Sequence, residues 1–305
     1  MPFSHHSHSG QFCAHAKGTL EEMIQAAIAK GFHTFALTEH IPRGNEDLYP
    51  EETTDSAGLT KLFDDYYGEA VRLREVYRSQ IKILIGMETE WIREPDSRER
   101  IARLQQQYQF DLFIGSVHHM HTVPIDFDKA MYAEARRRAG GSDERLFEDY
   151  FDAQHSMLQA LRPPIVGHFD LVRLLSDEPD RKLRQWDGVW RRIQRNLEFT
   201  AAYGGLLELN TAGLRKGLLE PYPTSEICEA FLGLGGRFTL SDDSHQVEHV
   251  GTNYARLAGF LERVGIREVF FLQAGEAGPD ARFPGIALAR VETAELSAQL
   301  ATQAA

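Results

Sequence analysis

Residues 81–88 read IKILIGME, an apolar run of strand length that ends on a single carboxylate, Glu88. A carboxylate that emerges from a buried strand is costly unless a cation or a strong donor meets it. Other short apolar runs in the chain also lead into His, Asp or Glu. The metal-ligating candidates found in this way are His6, His8, His15, His40, Glu88, His118, His168, Asp243 and His245. Divalent ions take imidazole and carboxylate ligands that a fold gathers from distant segments, so the pattern predicts a metal site.

The apolar runs alternate with amphipathic stretches, which is typical of βα units and a parallel sheet. Strands are predicted at 2–6, 33–37, 81–87, 111–117, 164–167, 205–209 and 236–240, with 268–272 as a further candidate. Helical periodicity covers 19–30, 58–78, 97–107, 143–161, 186–203, 224–234 and 250–264. Because no Gly-rich phosphate loop accompanies these units, they favour a barrel over a doubly wound nucleotide-binding sheet.

The ligand candidates follow the predicted strands in order, so they fall at the carboxyl end of the barrel, where side chains from many strands converge. Side chains alternate along extended chain, which places His6 and His8 on one face of the first segment. Asp243 and His245 repeat that spacing after the strand at 236–240. Random scatter would not select one end of the barrel.

Several alternatives stay open at this point. The block SHHSHS at 4–9 also has the composition of a purification-tag remnant, although tags are usually uninterrupted His runs. Asp242 competes with Asp243 as the ligand. Glu90 is either a group that supports a ligand or a surface acid. Three histidines without strand-end placement are interpreted as ordinary surface or core residues: His33, His155 and His249.

Composition narrows the class of protein. A chain of 305 residues with 42% hydrophobic content can build a large core, and we expect one domain over 1–305. The formal net charge of −12 argues against binding to nucleic acid or to an anionic membrane. Two cysteines, Cys13 and Cys228, are too few for a disulfide framework. With neither a secretory signal nor an apolar run of spanning length, the expected location is cytoplasmic.

Seven short motifs carry the nine ligand candidates. They are His6-Ser7-His8, Phe12-Cys13-Ala14-His15, Thr38-Glu39-His40, Gly86-Met87-Glu88, Gly115-Ser116-Val117-His118, Gly167-His168-Phe169-Asp170 and Asp243-Ser244-His245. The set resembles the polymerase and histidinol phosphatase (PHP) superfamily, and within it the monofunctional histidinol-phosphatase family. The narrower resemblance rests on SVHH at 116–119 followed by PIDFD at 124–128, and on LELNT at 207–211 followed by LRK at 214–216.

The resemblance implies a distorted (β/α)7 TIM-like barrel of the PHP type, which puts a barrel position for 268–272 in doubt. It also implies two or three divalent ions, for which zinc, iron and manganese all suit the N and O ligands. The implied ligand sets are His6, His8, Glu88 and Asp243 for the first ion, Glu88, His118 and His168 for the second, and His15, His40 and His245 for the third. Glu88 would bridge the first two ions.

The implied activity is metal-dependent hydrolysis of L-histidinol phosphate to L-histidinol and phosphate in L-histidine biosynthesis. Clustered cations would activate a water and neutralise the phosphoryl oxygens. The alternatives are another PHP-type phosphoesterase or nuclease, and a metal-binding domain without turnover. The absence of a basic track disfavours the nuclease, and retention of all nine ligands disfavours the inert domain.

Roles beyond the metals are assigned by position. Glu88, Asp243 and His119 are the candidate catalytic residues, with the third ion or its water as the first candidate for protonating the leaving group and His119 as the second. The candidates for binding the phosphorylated substrate are Arg43, Arg215, Lys216 and His119. Its cationic end could meet an acid or an aromatic surface among Asp126, Asp128, Glu90 and Trp91.

The stretch 121–162 is long for a connection within a barrel. It is interpreted as a lid insertion over the active-site face, with a dimer-forming insertion as the alternative. The tail at 291–305 is Ala-rich and polar, typical of a frayed helix. The sequence sets no oligomeric state.

Overall fold

A computed structural model describes residues 2–274 and 285–303. Its strands are β1 (Phe3–Ser4), β2 (Thr34–Leu37), β3 (Lys82–Glu88), β4 (Leu112–Gly115), β5 (His119–Met120), β6 (Val123–Pro124), β7 (Ile165–Val166), β8 (Leu206–Asn210), β9 (Arg237–Ser241), β10 (Glu268–Ala274) and β11 (Ile286–Glu292). Its helices are α1 (Leu20–Ala29), α2 (Ser56–Val76), α3 (Asp96–Gln107), α4 (Lys129–Arg138), α5 (Asp143–Leu161), α6 (Asp187–Tyr203), α7 (Ala212–Arg215), α8 (Ser225–Gly233), α9 (Tyr254–Val264) and α10 (Thr293–Gln303). Four short 3-10 turns complete the described elements.

Seven parallel strands form one sheet in the order β1-β2-β3-β4-β7-β8-β9. The two edge strands meet, because His5 N–H donates to the Leu240 carbonyl at 3.3 Å. An isolated parallel bridge between Ser7 and Ser244 extends this seam beyond the strand ends. The predicted seven-stranded distorted barrel is therefore confirmed, and each ligand-bearing segment leaves it at the carboxyl end.

Close packing between strands requires a glycine at position 167. A Cβ on Gly167 would lie 2.6 Å from Ile114 Cγ2 and 2.7 Å from Ser116 Oγ. These separations are far shorter than van der Waals contact, so any larger residue would push β7 away from β4. The glycine thereby fixes the position of the next residue, His168.

The hairpin of β10 and β11 lies outside the seven-stranded sheet, and its strands pair antiparallel over seven residues each. Leu272 and Ile286 join a buried apolar cluster with the barrel residues Ala36, Leu84, Leu112, Ile114, Ile165 and Leu206. The strand at 268–272 thus exists, but it covers barrel residues instead of extending the barrel. A helix over all of 291–305 was wrong at its start, because Val291 belongs to β11 and α10 begins at Thr293.

Segment 121–162 contains two helices, whereas the sequence predicted one. The unpredicted α4 carries a charged sequence, KAMYAEARRR, that buries only Tyr132 and Ala135, so its periodic face is weak. The predicted helix α5 buries Phe147, Tyr150 and Phe151 in the main core and packs beside α6 as a layer helix. A lid or dimer-forming role for the whole segment stays a prediction.

The remaining helices begin and end close to the predicted bounds. Thr19 caps α1, with the Glu22 side chain reaching back to the Thr19 backbone, which completes the reciprocal capping that the sequence predicted. The helix predicted at 250–264 begins only at Tyr254, because the turns before it fold around Asp242. Among residues 2–274 and 285–303, no helix has the length and apolar character needed to cross a membrane.

Candidate metal centre

The nine predicted ligands converge at the carboxyl end of the barrel. A cavity of about 430 Å³ opens there, and seven of the nine line it. The lining ligands are His15, His40, Glu88, His118, His168, Asp243 and His245. His6 and His8 lie beneath them, with 0% and 1% of their surface exposed. A remnant of a purification tag would lie outside the fold, so the tag interpretation of residues 4–9 was wrong.

Glu88 stands at the centre of the cluster. Five imidazole nitrogens approach its two carboxylate oxygens: those of His6 at 3.2 Å, His8 at 3.3 Å, His40 at 3.0 Å, His118 at 3.2 Å and His168 at 2.9 Å. Burial raises the pKa of Glu88, but the surrounding imidazoles outweigh it and hold that pKa well below the usual range. The carboxylate is therefore ionised and available to a cation.

Asp243, not Asp242, faces the imidazoles. Its Oδ1 lies 3.8 Å from His6 Nε2 and 3.6 Å from His8 Nε2. Its φ of 47° turns the side chain away from the line of β9. Asp242 instead fastens the loop, because its carboxylate accepts hydrogen bonds from Ser4 Oγ, the Ser244 N–H and the Gly251 N–H. The geometry resolves the ambiguity that the sequence left open.

Three buried glutamates orient the imidazoles. His6 Nδ1–H donates to Glu208 Oε1 at 2.8 Å, His118 Nδ1–H donates to Glu90 Oε2 at 2.9 Å, and His8 Nδ1 lies 3.4 Å from Glu39 Oε2. A carboxylate that holds Nδ1–H leaves the Nε2 lone pair free for a metal. Sequence reasoning missed Glu208 and Glu39. The available signal was an acid within or directly after a strand, as in LELN at 207–210 and TEH at 38–40.

The donor set fits divalent cations. Nε2 of His6 and Nε2 of His8 are buried and have no hydrogen-bond partner within the described part of the chain. In their neutral form, with the proton on Nδ1, these rings place Nε2 lone pairs close to the Glu88 oxygens, and a proton or a metal ion between them removes the repulsion. Burial lowers the pKa of His118, but the opposing effect of Glu90 and Glu88 is larger, so the pKa of His118 is raised to about 10. The pocket therefore attracts positive charge, and several groups of three or more ligand atoms within 4.8 Å offer it to a metal ion.

Comparison with known proteins agrees with this geometry. The PHP domain family matches residues 4–212, about two thirds of the chain. The chain belongs to the PHP family. A probable histidinol-phosphatase of Schizosaccharomyces pombe is 45% identical over 281 residues, which is 91% of this chain and 92% of that protein. The histidinol-phosphatase of Saccharomyces cerevisiae is 33% identical over 85% of this chain and 87% of its own length.

A solved structure supports the PHP fold assignment. The histidinol phosphate phosphatase of Lactococcus lactis, crystallised with zinc, L-histidinol and phosphate, superposes with a TM-score of 0.67. It covers 88% of this chain and 95% of its own, at 21% identity. The predicted membership of the histidinol-phosphatase family is confirmed by the relatives.

Arg43 and Arg215, two predicted substrate ligands of the PHP site, are engaged by the protein itself. Arg43 is 4% exposed, and its guanidinium donates to Glu90 at 2.6 Å and to Glu52. Arg215 lines the cavity, but its guanidinium donates to the backbone carbonyls of Asp242 and Asp243, both at 2.9 Å. Neither arrangement requires a substrate, so their binding role stays a prediction.

Lys216 and His119 differ in their freedom to reach a ligand. Lys216 is exposed at the cavity wall. His119 is 2% exposed and lies 3.8 Å from Glu90, with its ring 5.2 Å from the Tyr49 ring. Burial lowers the pKa of His119 to about 4, and Glu90 offsets this only in part. A neutral His119 is therefore the form present at neutral pH, so it would act as a hydrogen-bond donor more readily than as an imidazolium acid.

The four candidates for the cationic end of a substrate separate clearly. Glu90 is occupied by His118 and Arg43, Trp91 is 3% exposed in the core, and Asp128 caps α4 through the Met131 N–H. Only Asp126 lines the cavity.

His249 corrects an expectation. It was interpreted as an ordinary histidine, but it lines the same cavity, and its Nδ1 accepts a long hydrogen bond from the His245 N–H at 3.4 Å. The sequence gives no sign of this, because His249 ends a 3-10 turn instead of following a strand.

Proposed function

We propose that this PHP protein hydrolyses L-histidinol phosphate to L-histidinol and phosphate at the Glu88 cluster. The observation that carries the proposal is the set of buried imidazoles whose Nδ1 atoms face glutamates and whose Nε2 atoms converge on Glu88. Curated relatives with 45% and 33% identity over most of the chain are named for this activity. This reaction is the hydrolysis of a phosphoric monoester. Its substrate, histidinol phosphate, places it in histidine biosynthesis.

The ligands would form three sets around the cavity. Glu88 and Asp243 with His6 and His8 would hold one ion, Glu88 with His118 and His168 a second, and His15, His40 and His245 a third. Zinc suits these donors and accompanies the Lactococcus lactis protein, while iron and manganese accept the same ligand types. When bound, divalent ions would lower the pKa of a bound water and neutralise phosphoryl oxygens.

The protein's own groups perform the remaining tasks. Glu88 stays ionised despite burial and would be shared by the first two ions. Arg43 donates to Glu90, and Glu90 accepts from His118, so Arg43 helps to orient the His118 ring through Glu90. Lys216 extends positive charge to the cavity wall, where it would meet a phosphoryl oxygen. His119 would position an oxygen of the substrate through a ring N–H.

Asp126 is the residue that would distinguish this substrate from other phosphate esters. It lines the cavity, and its Oδ1 is buried without a hydrogen-bond partner within residues 2–274 and 285–303. A buried, unpartnered carboxylate oxygen is costly until a donor meets it. The ammonium or imidazolium of histidinol phosphate supplies such a donor, whereas an aryl phosphate does not.

The test compares phosphate release from L-histidinol phosphate, an aryl phosphate and a single-stranded oligonucleotide in metal-replete protein. We expect a strong preference for histidinol phosphate. Asp126→Asn should raise KM for that substrate about tenfold, the effect of roughly 1.4 kcal/mol, and leave the aryl phosphate unchanged. Asp128→Asn, which alters only a helix cap at the surface, is the matched control.

The alternatives give different results in the same assay. Faster cleavage of the oligonucleotide would support a PHP nuclease, and equal rates on both monoesters would support a phosphatase of broad specificity. Bound metal with no turnover of any substrate would support a metal-binding domain without catalysis. Each of these outcomes would overturn the proposed function.

A further inference from the structure

Cys13 lies against the outermost group of histidines. Its Sγ is 3.3 Å from His15 Nε2 and 3.5 Å from His15 Nδ1, and the residue is only 7% exposed. One ligand atom from each of Cys13, His15, His40 and His245 lies within 4.8 Å of the others. Both ring nitrogens of His40 are buried without a well-oriented hydrogen-bond partner in the described ranges. Four soft or borderline donors therefore lie close enough together to hold one ion.

The distance between the Cys13 sulfur and the His15 ring is compatible with a tetrahedral zinc site. Zn–S bonds of about 2.3 Å and Zn–N bonds of about 2.0–2.1 Å place sulfur and nitrogen ligands roughly 3.6 Å apart around a tetrahedral ion. The separation of 3.3 Å between Cys13 Sγ and His15 Nε2 is close to this value, and only one of the two ring nitrogens of His15 can bind the ion. Rotation of the Cys13 and His15 side chains would bring the thiolate and one ring nitrogen into a shared coordination sphere.

The backbone around Cys13 is held in place. The Cys13 N–H donates to the Ser9 carbonyl at 2.9 Å, and the Ala16 N–H donates to the Cys13 carbonyl at 3.1 Å. Ser9 is in turn fixed by Glu39, which accepts from both the Ser9 N–H and its hydroxyl. The Lys17 N–H donates to the His245 carbonyl at 2.7 Å, which ties this loop to the segment that carries a ligand.

The two cysteines have different surroundings. Cys228 packs inside the main apolar cluster, where its thiol faces the Pro223 carbonyl. Cys13 belongs to neither of the apolar clusters formed by the described residues, and imidazoles surround its sulfur. Packing accounts for the first cysteine and leaves the placement of the second unexplained.

We propose that the Cys13 thiolate is the fourth protein ligand of the third metal ion, together with His15, His40 and His245. This assignment rests on the metal-dependent function proposed above and refines one of its ion sites. A thiolate selects zinc over manganese, because soft sulfur suits zinc and hard oxygen ligands suit manganese. The Glu88 sites contain only N and O donors, so the protein would hold a zinc-selective ion beside two less selective ones. Zinc can accept a fifth ligand, which leaves room for a substrate oxygen.

Cobalt substitution tests the assignment directly. Protein loaded with Co²⁺ should show a thiolate-to-cobalt charge-transfer band in the near ultraviolet, and Cys13→Ser should abolish that band. Cys228→Ser is the matched control, and it should keep the band at full intensity. His245→Ala should remove the band as well, because it takes away the ion that the thiolate binds.

Metal analysis gives a second readout that does not depend on activity. In a buffer with excess Mn²⁺ and limiting Zn²⁺, Cys13→Ser should lose one zinc per chain relative to wild type, while Cys228→Ser should lose none. A cobalt-loaded wild-type protein without the charge-transfer band would overturn the proposal. A band with no hydrolysis of histidinol phosphate would support the ligand and refute the proposed function, so the two failures are distinguishable.

Discussion

Replacing Glu208 with Gln tests how the barrel prepares an imidazole for metal binding. Glu208 is fully buried in β8, and its two oxygens have separate tasks. Oε1 accepts the His6 Nδ1–H at 2.8 Å, while Oε2 accepts the His168 N–H at 2.8 Å and the Asn210 side-chain N–H at 3.1 Å. A glutamine can satisfy the two donors at Oε2 only by placing its oxygen there.

The amide NH₂ of the glutamine then faces His6. His6 Nδ1 would have to become an acceptor, and its proton would move to Nε2, the atom that lies 3.2 Å from Glu88. The ring would present N–H instead of a lone pair to the ion. Loss of such a supporting hydrogen bond typically lowers metal affinity 10- to 100-fold, or about 1.4 to 2.7 kcal/mol.

The assay is competition between the protein and a chromophoric chelator for zinc, with hydrolysis of histidinol phosphate measured in parallel. We expect one zinc to weaken by 10- to 100-fold and turnover at limiting zinc to fall by a similar factor. Excess zinc should restore much of the turnover. Circular dichroism should remain that of the wild type, because the side-chain volume is unchanged.

Glu226→Gln is the matched control. Glu226 is also a buried glutamate that accepts a backbone N–H, that of Leu183, but it lies on α8 away from the cluster. Glu226→Gln should leave zinc affinity unchanged, and it measures how much stability is lost when any buried glutamate is replaced by glutamine. Wild-type zinc affinity in Glu208→Gln would refute the reasoning that the carboxylate sets the tautomer of His6.

Three further predictions follow from the same structure. Glu88→Gln should abolish turnover and lower metal content with little change in folding, since it removes the shared carboxylate; retained phosphate release would contradict this. Lys216→Ala should raise KM about tenfold. Arg215→Ala should instead lower the free energy of unfolding by about 1.5–3 kcal/mol, because two backbone carbonyls lose their donor. If the two variants had the same KM and the same stability, both assignments would be wrong. Burial lowers the pKa of His5 to about 4, so its neutral form, which accepts from the Leu272 N–H, is favoured in the fold, and up to about 3 kcal/mol should be lost as pH falls from 6.5 to 4. Urea unfolding of metal-free His5→Gln should show a shallower pH dependence than the metal-free wild type, and identical slopes would rule out this contribution.

The ligand positions could be predicted because two simple regularities combine. Strands of a parallel barrel end on the same face, and side chains there converge whatever lies between them in sequence. Glu88 illustrates the argument, since its place directly after an apolar run fixed both its depth and its direction. The same logic located His118 and His168, whose Nε2 atoms lie 3.1 Å apart in the structure.

The residues that hold the ligands and their loops in place were not predictable in the same way. Glu208 lies inside a strand, and alternation alone does not show whether an acid in that position faces a ligand or forms an ion pair. Arg215 has the loop position of a phosphate ligand, but its partners are backbone carbonyls, which have no signature in a sequence. Arg43 shows the same difficulty, because its acids Glu52 and Glu90 are distant along the chain.

The predictions for two peripheral elements, helix α4 and the hairpin of β10 and β11, were incomplete. Helix α4 is strongly charged and buries few residues, so tertiary contacts and the Asp128 cap stabilise it more than periodicity does. The hairpin of β10 and β11 was predicted in part, as one strand. Its role is set by Leu272 and Ile286, which pack against barrel residues that no local pattern connects to them.

The most direct test of the account is metal depletion and reconstitution with histidinol phosphate as substrate. Protein treated with chelator and freed of it should release no phosphate, and activity should return as zinc is added back, reaching a plateau at two or three ions per chain. Phosphate release by protein that contains no metal, or a plateau reached without metal bound at the Glu88 cluster, would contradict the central claim.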